Sequence, residues 1–293
     1  VSAPDRNRDR AGLLWVLPAL GFYACFVLYP LTQTARYSLY DWNGIGEATW
    51  VGLRNYLTVL TDSTLRDSVV HALILIVFFT VIPVSISLLA VAAMGRLRTG
   101  AFVSAARTVL FLPQIIPLVG AAIVWTWMYS DQGAVNQVLR AVGLSGLARP
   151  WLADFGTALP AVGLIGSWVS TGFCFVLLMA GTGKIDPALY EAARLDGANA
   201  TQEFRHITLP GLRNEIGVAA TITTIAALSS FDIVYVATGG GPGFSTMVPG
   251  VQVIRLAFTT GEVGLGSALA IVLLVLVLAV VVPMQVFNRR ARP

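Results

Sequence analysis

The chain has 293 residues, of which 56% are hydrophobic and 12% charged, against about 25% charged in an ordinary soluble domain. That balance argues against a water-soluble enzyme. The formal net charge of +4 is distributed as a membrane topology signal and not as a nucleic-acid footprint.

Six stretches contain no Asp, Glu, Lys or Arg: residues 11–35, 72–95, 108–130, 155–183, 216–231 and 263–288. Five are at least 23 residues long, and the fifth in order reaches similar length once Asp232 is admitted. A helix needs about 20 mostly apolar residues to cross the hydrocarbon core, because every backbone N–H and C=O must be paired within the segment. The expectation is an all-α, polytopic membrane protein in one bundle. Its six transmembrane helices are placed at about 13–39, 69–94, 108–129, 158–181, 215–236 and 265–287. Continuous apolar runs, rather than alternating ones, disfavour a β-barrel.

In chain order, a basic tail 1–10 carries Arg6, Arg8 and Arg10. The first span, Leu13 to Leu39, holds Pro18 and Pro30. It is too long for a signal-peptide core and has no small-residue cleavage site, so it is read as retained. Trp42, Trp50 and Tyr56 in the next loop suit a membrane interface. The second span, Val69 to Met94, contains Pro83, and the third carries Pro113 and Pro117 early and Trp125, Trp127 and Tyr129 late. Those late aromatics mark the outer interface of an outward-running helix. Arg96, Arg98, Arg107, Lys184, Arg194, Arg205, Arg213, Arg289, Arg290 and Arg292 join the N-terminal arginines on one side. The opposite loops hold only Arg54, Arg66, Arg140, Arg149 and Arg255. The positive-inside rule then makes both termini cytoplasmic, the second ending in a basic tail 289–293. Cys25 and Cys174 fall inside apolar spans without disulfide or metal spacing.

Residues 184–215 are the longest polar segment on that cytoplasmic side. Asp186 followed by Pro187 is a helix start, since the carboxylate accepts orphan N–H groups and Pro costs nothing at the first helical position. Asp196 and Gly197 end the helix, with Gly suited to a left-handed cap. Within it stand Glu191, Ala192 and Ala193, three further residues, Gly197, nine residues, and then Ile207, Thr208, Leu209 and Pro210. The residues and both spacings resemble the EAA motif of importer permeases of the ATP-binding cassette (ABC) family. The resemblance implies a cytoplasmic coupling helix, within a segment 184–213, seated in a groove of an ATPase subunit. Its contacts are expected from Glu191, Ala192, Ala193, Arg194, Asp196, Gly197, Ile207, Leu209 and Pro210.

A second resemblance runs from Phe231, Asp232, Ile233, Val234 and Tyr235 to Thr238, Gly239, Gly240, Gly241 and Pro242. It is similar to the fifth-helix end and outer loop of carbohydrate-type permeases. Trp42, Leu112, Pro113, Trp168 and the run Ile185 to Glu191 resemble that subfamily too. The chain ends six residues after Phe287, and this with the Gly-Gly-Pro loop resembles the first subunit of maltose and glycerol-phosphate permeases. The resemblance implies a type I ABC importer fold in the bacterial cytoplasmic membrane. It also implies a heterodimer with a second permease, two ATPase subunits, and an external solute-binding protein or lipoprotein. No Gly-rich phosphate loop ends in Lys and Ser or Thr, so ATP and Mg are expected in the partner ATPase, with no cofactor or metal in this chain. His71 and His206 have no metal-ligand spacing, and no catalytic residues are expected.

Asp232 is the one formal charge well inside a span, a functional-site hypothesis because its burial is costly. The other reading is a structural ion pair. Ser229, Ser230, Phe231 and Tyr235 surround it, and Trp168, Ser170, Thr171 and Phe173 supply aromatic and hydroxyl groups to the fourth span. These are the expected substrate-path residues, and Thr238, Gly240, Gly241 and Pro242 form the expected outer loop. With no Lys or Arg in the path, the sign of Asp232 favours a neutral sugar or oligosaccharide. An amino sugar also suits a carboxylate, whereas a glycerol-phosphate-type anion needs cations from the partner. The rival from another class is an ion-coupled secondary transporter with Asp232 as its ion site.

Overall fold

The computed structural model describes the backbone of residues 6–94 and 101–290 and the side chains of 15–94 and 104–288. The side chains of Arg6, Arg8, Arg10, Arg96, Arg98, Arg289, Arg290 and Arg292 lie outside the described residues, and so do both expected tails apart from the backbone of 6–10 and 289–290. Packing divides the chain into two compact units, residues 1–62 with 253–272, and residues 63–252 with 273–293.

In the first unit, helix α1 runs from Arg6–Tyr23 through a wide π segment, Ala24–Leu28, into Tyr29–Tyr37. A two-stranded hairpin follows, β1 Tyr40–Asp41 against β2 Thr49–Trp50, in which Tyr40 opposes Trp50 and their rings meet edge to face at 5.1 Å. The next helix, α2, is Arg54–Thr61. Its Asn55 amide donates to the carbonyls of Ser38 (2.9 Å) and Tyr40 (2.8 Å), and Tyr56 shares a 2.7 Å hydrogen bond with Ser38. Gly264 lies so close to the Tyr40 carbonyl that a Cβ there would overlap it, while its N–H donates to the Trp42 carbonyl at 3.1 Å.

In the second unit, α3 is one bent helix, Ser63–Ile76 continuing through a π segment Val77–Val81 into Ile82–Met94. Helix α4 (Ala101–Ile115) and helix α5 (Leu118–Met128) meet at a bend of 104°. Pro117 supplies the cause, because it has no N–H to continue the ladder and its ring forces the preceding residue out of the helical region. Beyond them come α6 (Ala134–Ala141), α7 (Ala158–Thr182) and α8 (Pro187–Leu195). Helix α9 joins Ala200–Glu203, a π segment Phe204–Thr208 and Leu209–Gly211. Helices α10 (Arg213–Leu228) and α11 (Asp232–Ala237) follow. Pro249–Ile254 opens α12, and α13, Val263–Arg290, runs through both units.

Three of the π segments end two residues before a proline: Pro30, Pro83 and Pro210. A proline ring collides with the carbonyl four residues earlier, and the turn widens to five-residue hydrogen bonds to admit it. The bonds Tyr29 N–H to Ala24, Ile82 to Val77 and Leu209 to Phe204 are of that wide type.

Helix α7 is the centre of the second unit and packs against α3, α4, α5, α10 and α11. Its glycines set the approach to α3, since a Cβ at Gly163 or Gly166 would strike the rings of Phe78 and Phe79. Val162, Ile165 and Val169 bury there with Leu75 and Phe79. Ser167 donates to the Phe78 carbonyl (2.6 Å) and Ser87 to the Thr171 carbonyl (3.2 Å), so hydroxyls bind the two helices where lipid offers no partner.

Among the described residues, four helices are long and apolar enough to cross a membrane, Trp15–Tyr37, Ser63–Met94, Ala158–Thr182 and Val263–Asn288, and the bent α4–α5 pair makes a fifth. The span expected at 215–236 requires correction, because it is not one helix. Helix α10 has 16 residues, a rise of about 24 Å against a core of about 30 Å. It stops at Ser229, and Phe231 leaves the helical region at φ −130°, ψ −58° before α11 resumes.

Candidate functional site

The segment between α7 and α10 is built as a braced hairpin. The Asp186 carboxylate accepts from the Ala188 N–H at 2.9 Å and Pro187 takes the first helical position, so α8 starts where its orphan donors are satisfied. It ends in a left-handed Gly197 (φ +80°), with the Ala198 N–H returning to the Ala193 carbonyl at 2.9 Å. Asn199 then opens α9 with a reciprocal capping box shared with Gln202. Across the turn, the Arg194 guanidinium forks onto Glu203 (Nε to Oε1 2.8 Å, Nη2 to Oε2 3.3 Å), a hydrogen-bonded pair that raises the Arg194 pKa further. Tyr190 Oη and Thr208 Oγ1 meet at 2.9 Å.

The bracing leaves one side of α8 facing outward. Leu195 is 89% exposed and Leu189 is 53% exposed. Glu191, Ala192 and Asp196 are exposed and Ala193 is half-buried. Glu191 makes no hydrogen bond or ion pair among the described residues. On α9, Ile207 and Leu209 are half-buried, Pro210 is exposed, and the exposed His206 is bonded to the Gln202 carbonyl (3.0 Å). Sequence reasoning passed over Leu189, Leu195 and Glu203. Opposite charges nine residues apart across a Gly turn were the available signal for the Arg194–Glu203 fork.

At the base of the hairpin, Lys184 Nζ lies 2.8 Å from Glu215 Oε1. A cavity of about 380 Å³ lies between α8 and the helix ends, lined by Met94, Arg107, Met179, Tyr190, Glu191 and Phe204 among others, so that Glu191 borders both the cavity and the outward side of α8.

The expected path residues fall into two groups. At the break between α10 and α11, Ser229 and Asp232 are exposed, and Phe231 stacks on the exposed Tyr235 with centroids 4.9 Å apart and planes at 17°. Asp232 has no ion pair among the described residues. Ser230 is buried, and its Oγ finds no hydrogen-bond partner among the described residues. On α7, Trp168 is half-buried and meets Trp125 edge to face at 5.7 Å, starting a run of rings through Tyr129 (5.1 Å) to Trp151 (6.4 Å). Ser170 and Phe173 are half-buried, whereas Thr171 is buried with its hydroxyl donating to the Ser167 carbonyl (2.7 Å). Thr171 is thereby packed within the bundle. Gln114, an exposed amide beside Gly172 at the bend after α4, escaped the sequence reading. One amide between Pro113 and Pro117 in an apolar run was its signal.

The loop expected on the outer side is tied by Thr246, whose Oγ1 lies 2.7 Å from Thr238 Oγ1 and donates to the Gly241 carbonyl at 2.7 Å. Gly240 adopts φ +93°, where a Cβ would strike Met247, and the Gly241–Pro242 peptide is cis. His71 Nδ1 reaches the Met247 carbonyl at 2.9 Å, joining this loop to α3.

A family model described as a binding-protein-dependent transport system inner membrane component matches residues 86–293. A probable ABC transporter permease protein of Bacillus subtilis, YurN, is 35% identical over 268 residues, covering 91% of this chain and 91% of its own. The trehalose/maltose transport system permease protein MalF of Thermococcus litoralis is 35% identical over 280 residues, covering 92% of this chain and 90% of its own. A solved bacterial ABC transporter involved in import of the acidic polysaccharide alginate contains a chain that matches with a TM-score of 0.81 at 23% identity. The match covers 97% of this chain and 96% of that one, and bears out the all-α importer-permease fold. The chain therefore belongs to the family of binding-protein-dependent transport system inner membrane components.

Proposed function

We propose that this chain forms half of the membrane path for a sugar or oligosaccharide in an ATP-driven importer. An external binding protein delivers the solute, a second permease completes the path, and two ATPase subunits, which hold ATP and Mg, drive it through α8. The observation that carries this reading is the outward face of the braced hairpin. Glu191, which makes no hydrogen bond or ion pair among the described residues, is exposed near the exposed Leu189 and Leu195, apolar surface of the kind that marks a protein contact.

Coupling runs by alternating access. Closure of the ATPases draws the two coupling helices together and rocks each bundle between inward-open and outward-open packings, a local contact biasing two discrete states. A carbohydrate is supported by the exposed Asp232 carboxylate beside the stacked Phe231 and Tyr235 rings, which offer hydroxyl acceptors and an apolar face together. The Thermococcus relative, a trehalose/maltose transport system permease protein, points the same way. Amino sugars and glycerol-phosphate-type solutes are the alternatives within this family. The spans are proposed to place both termini in the cytoplasm.

The test is ATP hydrolysis by the complex purified through this chain in nanodiscs, with and without a sugar-loaded binding protein, comparing wild type with Glu191→Ala. Stimulated hydrolysis that the variant loses supports the reading. Wild-type stimulation in the variant, or uptake that follows an ion gradient with no ATPase co-purifying, overturns it and makes Asp232 the leading ion site.

A further inference from the structure

The coupling hairpin leaves and rejoins the membrane helices at Lys184 and Glu215, residues 31 apart in sequence whose Nζ and Oε1 meet at 2.8 Å. The two ends differ in environment, the Lys184 side chain being 73% exposed and that of Glu215 only 11%. Glu215 is sunk into a notch that Gly181 provides, since a Cβ there would overlap both Glu215 and Leu212. Leu212 in turn is fully buried with Phe175, Leu178 and Val91. Gly211 repeats the arrangement one step away, its missing Cβ giving room to Ile185. The end of α7 with the residues that follow it and the start of α10 with the residues that precede it are thus interlocked at three points, and the only charged one is Lys184–Glu215.

A mostly buried carboxylate is a costly way to join two helices. Removing Lys184 would leave the carboxylate mostly buried without its partner, so the pair ties Glu215 to one arrangement. Without it, Gly183 and Gly211 could serve as hinges, and a push on α8 would be spent in bending the hairpin at its base. We infer that Lys184 and Glu215 are positioning residues, a clamp that delivers displacement of α8 to α7 and α10 together. This rests on the coupling reading of α8 given above and assigns the part of the chain that transmits it.

The experiment compares Lys184→Gln, Glu215→Gln and the double exchange Lys184→Glu with Glu215→Lys in the purified complex in proteoliposomes. It records solute imported per ATP hydrolysed, ATPase co-purification and the melting temperature. Each single variant is expected to retain its ATPase and its hydrolysis while import per ATP falls about tenfold, within the range of ordinary coupling energies. The double exchange is expected to recover most of that ratio. A wild-type ratio in the single variants overturns the clamp. So does a loss of import matched by an equal loss of hydrolysis, the signature of a merely structural pair, or a double exchange that melts like wild type yet stays uncoupled. Wild-type complex without binding-protein-stimulated hydrolysis sinks the coupling reading itself, and the clamp with it. Normal wild type beside normal variants sinks the clamp alone.

Discussion

Gly197 offers a clean measurement of what the shape of α8, the proposed coupling helix, is worth. Its φ is +80°, and no atom lies within 4 Å of where a Cβ would stand, so a side chain there changes backbone preference without creating a clash. An L-residue in the left-handed region costs about 1–2 kcal/mol, and Asn less because it tolerates that region. The cost falls on the closed terminal turn of α8, held by Ala198 N–H to Ala193 C=O at 2.9 Å. If the ATPase binds only that closed form, its apparent affinity drops with the closed population, by as much as about 5–30-fold for 1–2 kcal/mol. Labelled ATPase titrated onto nanodisc-embedded permease is therefore expected to bind Gly197→Ala more weakly, by as much as about 5–30-fold. Gly197→Val should lie at or beyond the upper end of that range, and Gly197→Asn close to wild type. Wild-type binding by the Ala and Val variants refutes the reasoning. Asn as damaging as Val refutes it as well, because the loss would then follow side-chain bulk at the interface instead of backbone conformation.

Leu195→Glu is expected to leave the melting temperature unchanged, because Leu195 is 89% exposed, and to abolish ATPase co-purification; a shifted melt with retained binding contradicts this. Ser230→Ala removes a buried hydroxyl that has no partner among the described residues, so stability should hold or rise by up to about 1 kcal/mol while apparent sugar affinity in uptake falls. Unchanged uptake takes Ser230 off the path. Asn136 is 0% exposed and accepts from Trp151 Nε1 (2.9 Å) and Arg149 N–H (3.2 Å) while donating to the Arg149 carbonyl (2.8 Å). Asn136→Leu strands these groups at a cost of about 2–5 kcal/mol, seen as faster hydrogen exchange across residues 134–151, and unchanged protection refutes the assignment.

The start and stop of α8 were legible because they depend on neighbours in sequence: Asp186 caps, Pro187 fits the first turn, and Gly197 takes the left-handed position. The prolines were equally visible, but their consequences were not. Pro30, Pro83 and Pro210 each widen a turn, whereas Pro117 marks a bend of 104°. The choice depends on what packs against the freed carbonyls, which no local pattern records. The continuous reading of 215–236 failed for a related reason. Apolar count registers length, and a break at Ser229 to Phe231 scarcely lowers it. Among path candidates, residue type named Thr171 and Ser170 alike, and only helix phase against α3 turned Thr171 into the packed face. Gln114 and Leu195 went unread because exposure on a membrane protein's surface is a property of the fold.

The two irregularities in the membrane segments bear on why this chain should work as half of something. Backbone that leaves the helix at membrane depth is tolerated only where protein covers it or water reaches it. Both breaks, the bend between α4 and α5 and the gap between α10 and α11, fall in the second unit, and the outer pieces α5 and α11 pack on each other and on α7 through a shared core that includes Ala121, Ala122, Ile233 and Val234. That core anchors the short helices firmly, so the breaks are fixed features of the packing. Yet Gln114, Ser229 and Asp232 beside them stay exposed on this chain, and an amide and a carboxylate facing lipid would be costly. Their exposure is consistent with a bilayer only if a second chain or a water-filled path covers them. The same groups that make the lone chain a poor lipid-facing surface are those a hydroxyl-rich solute would use.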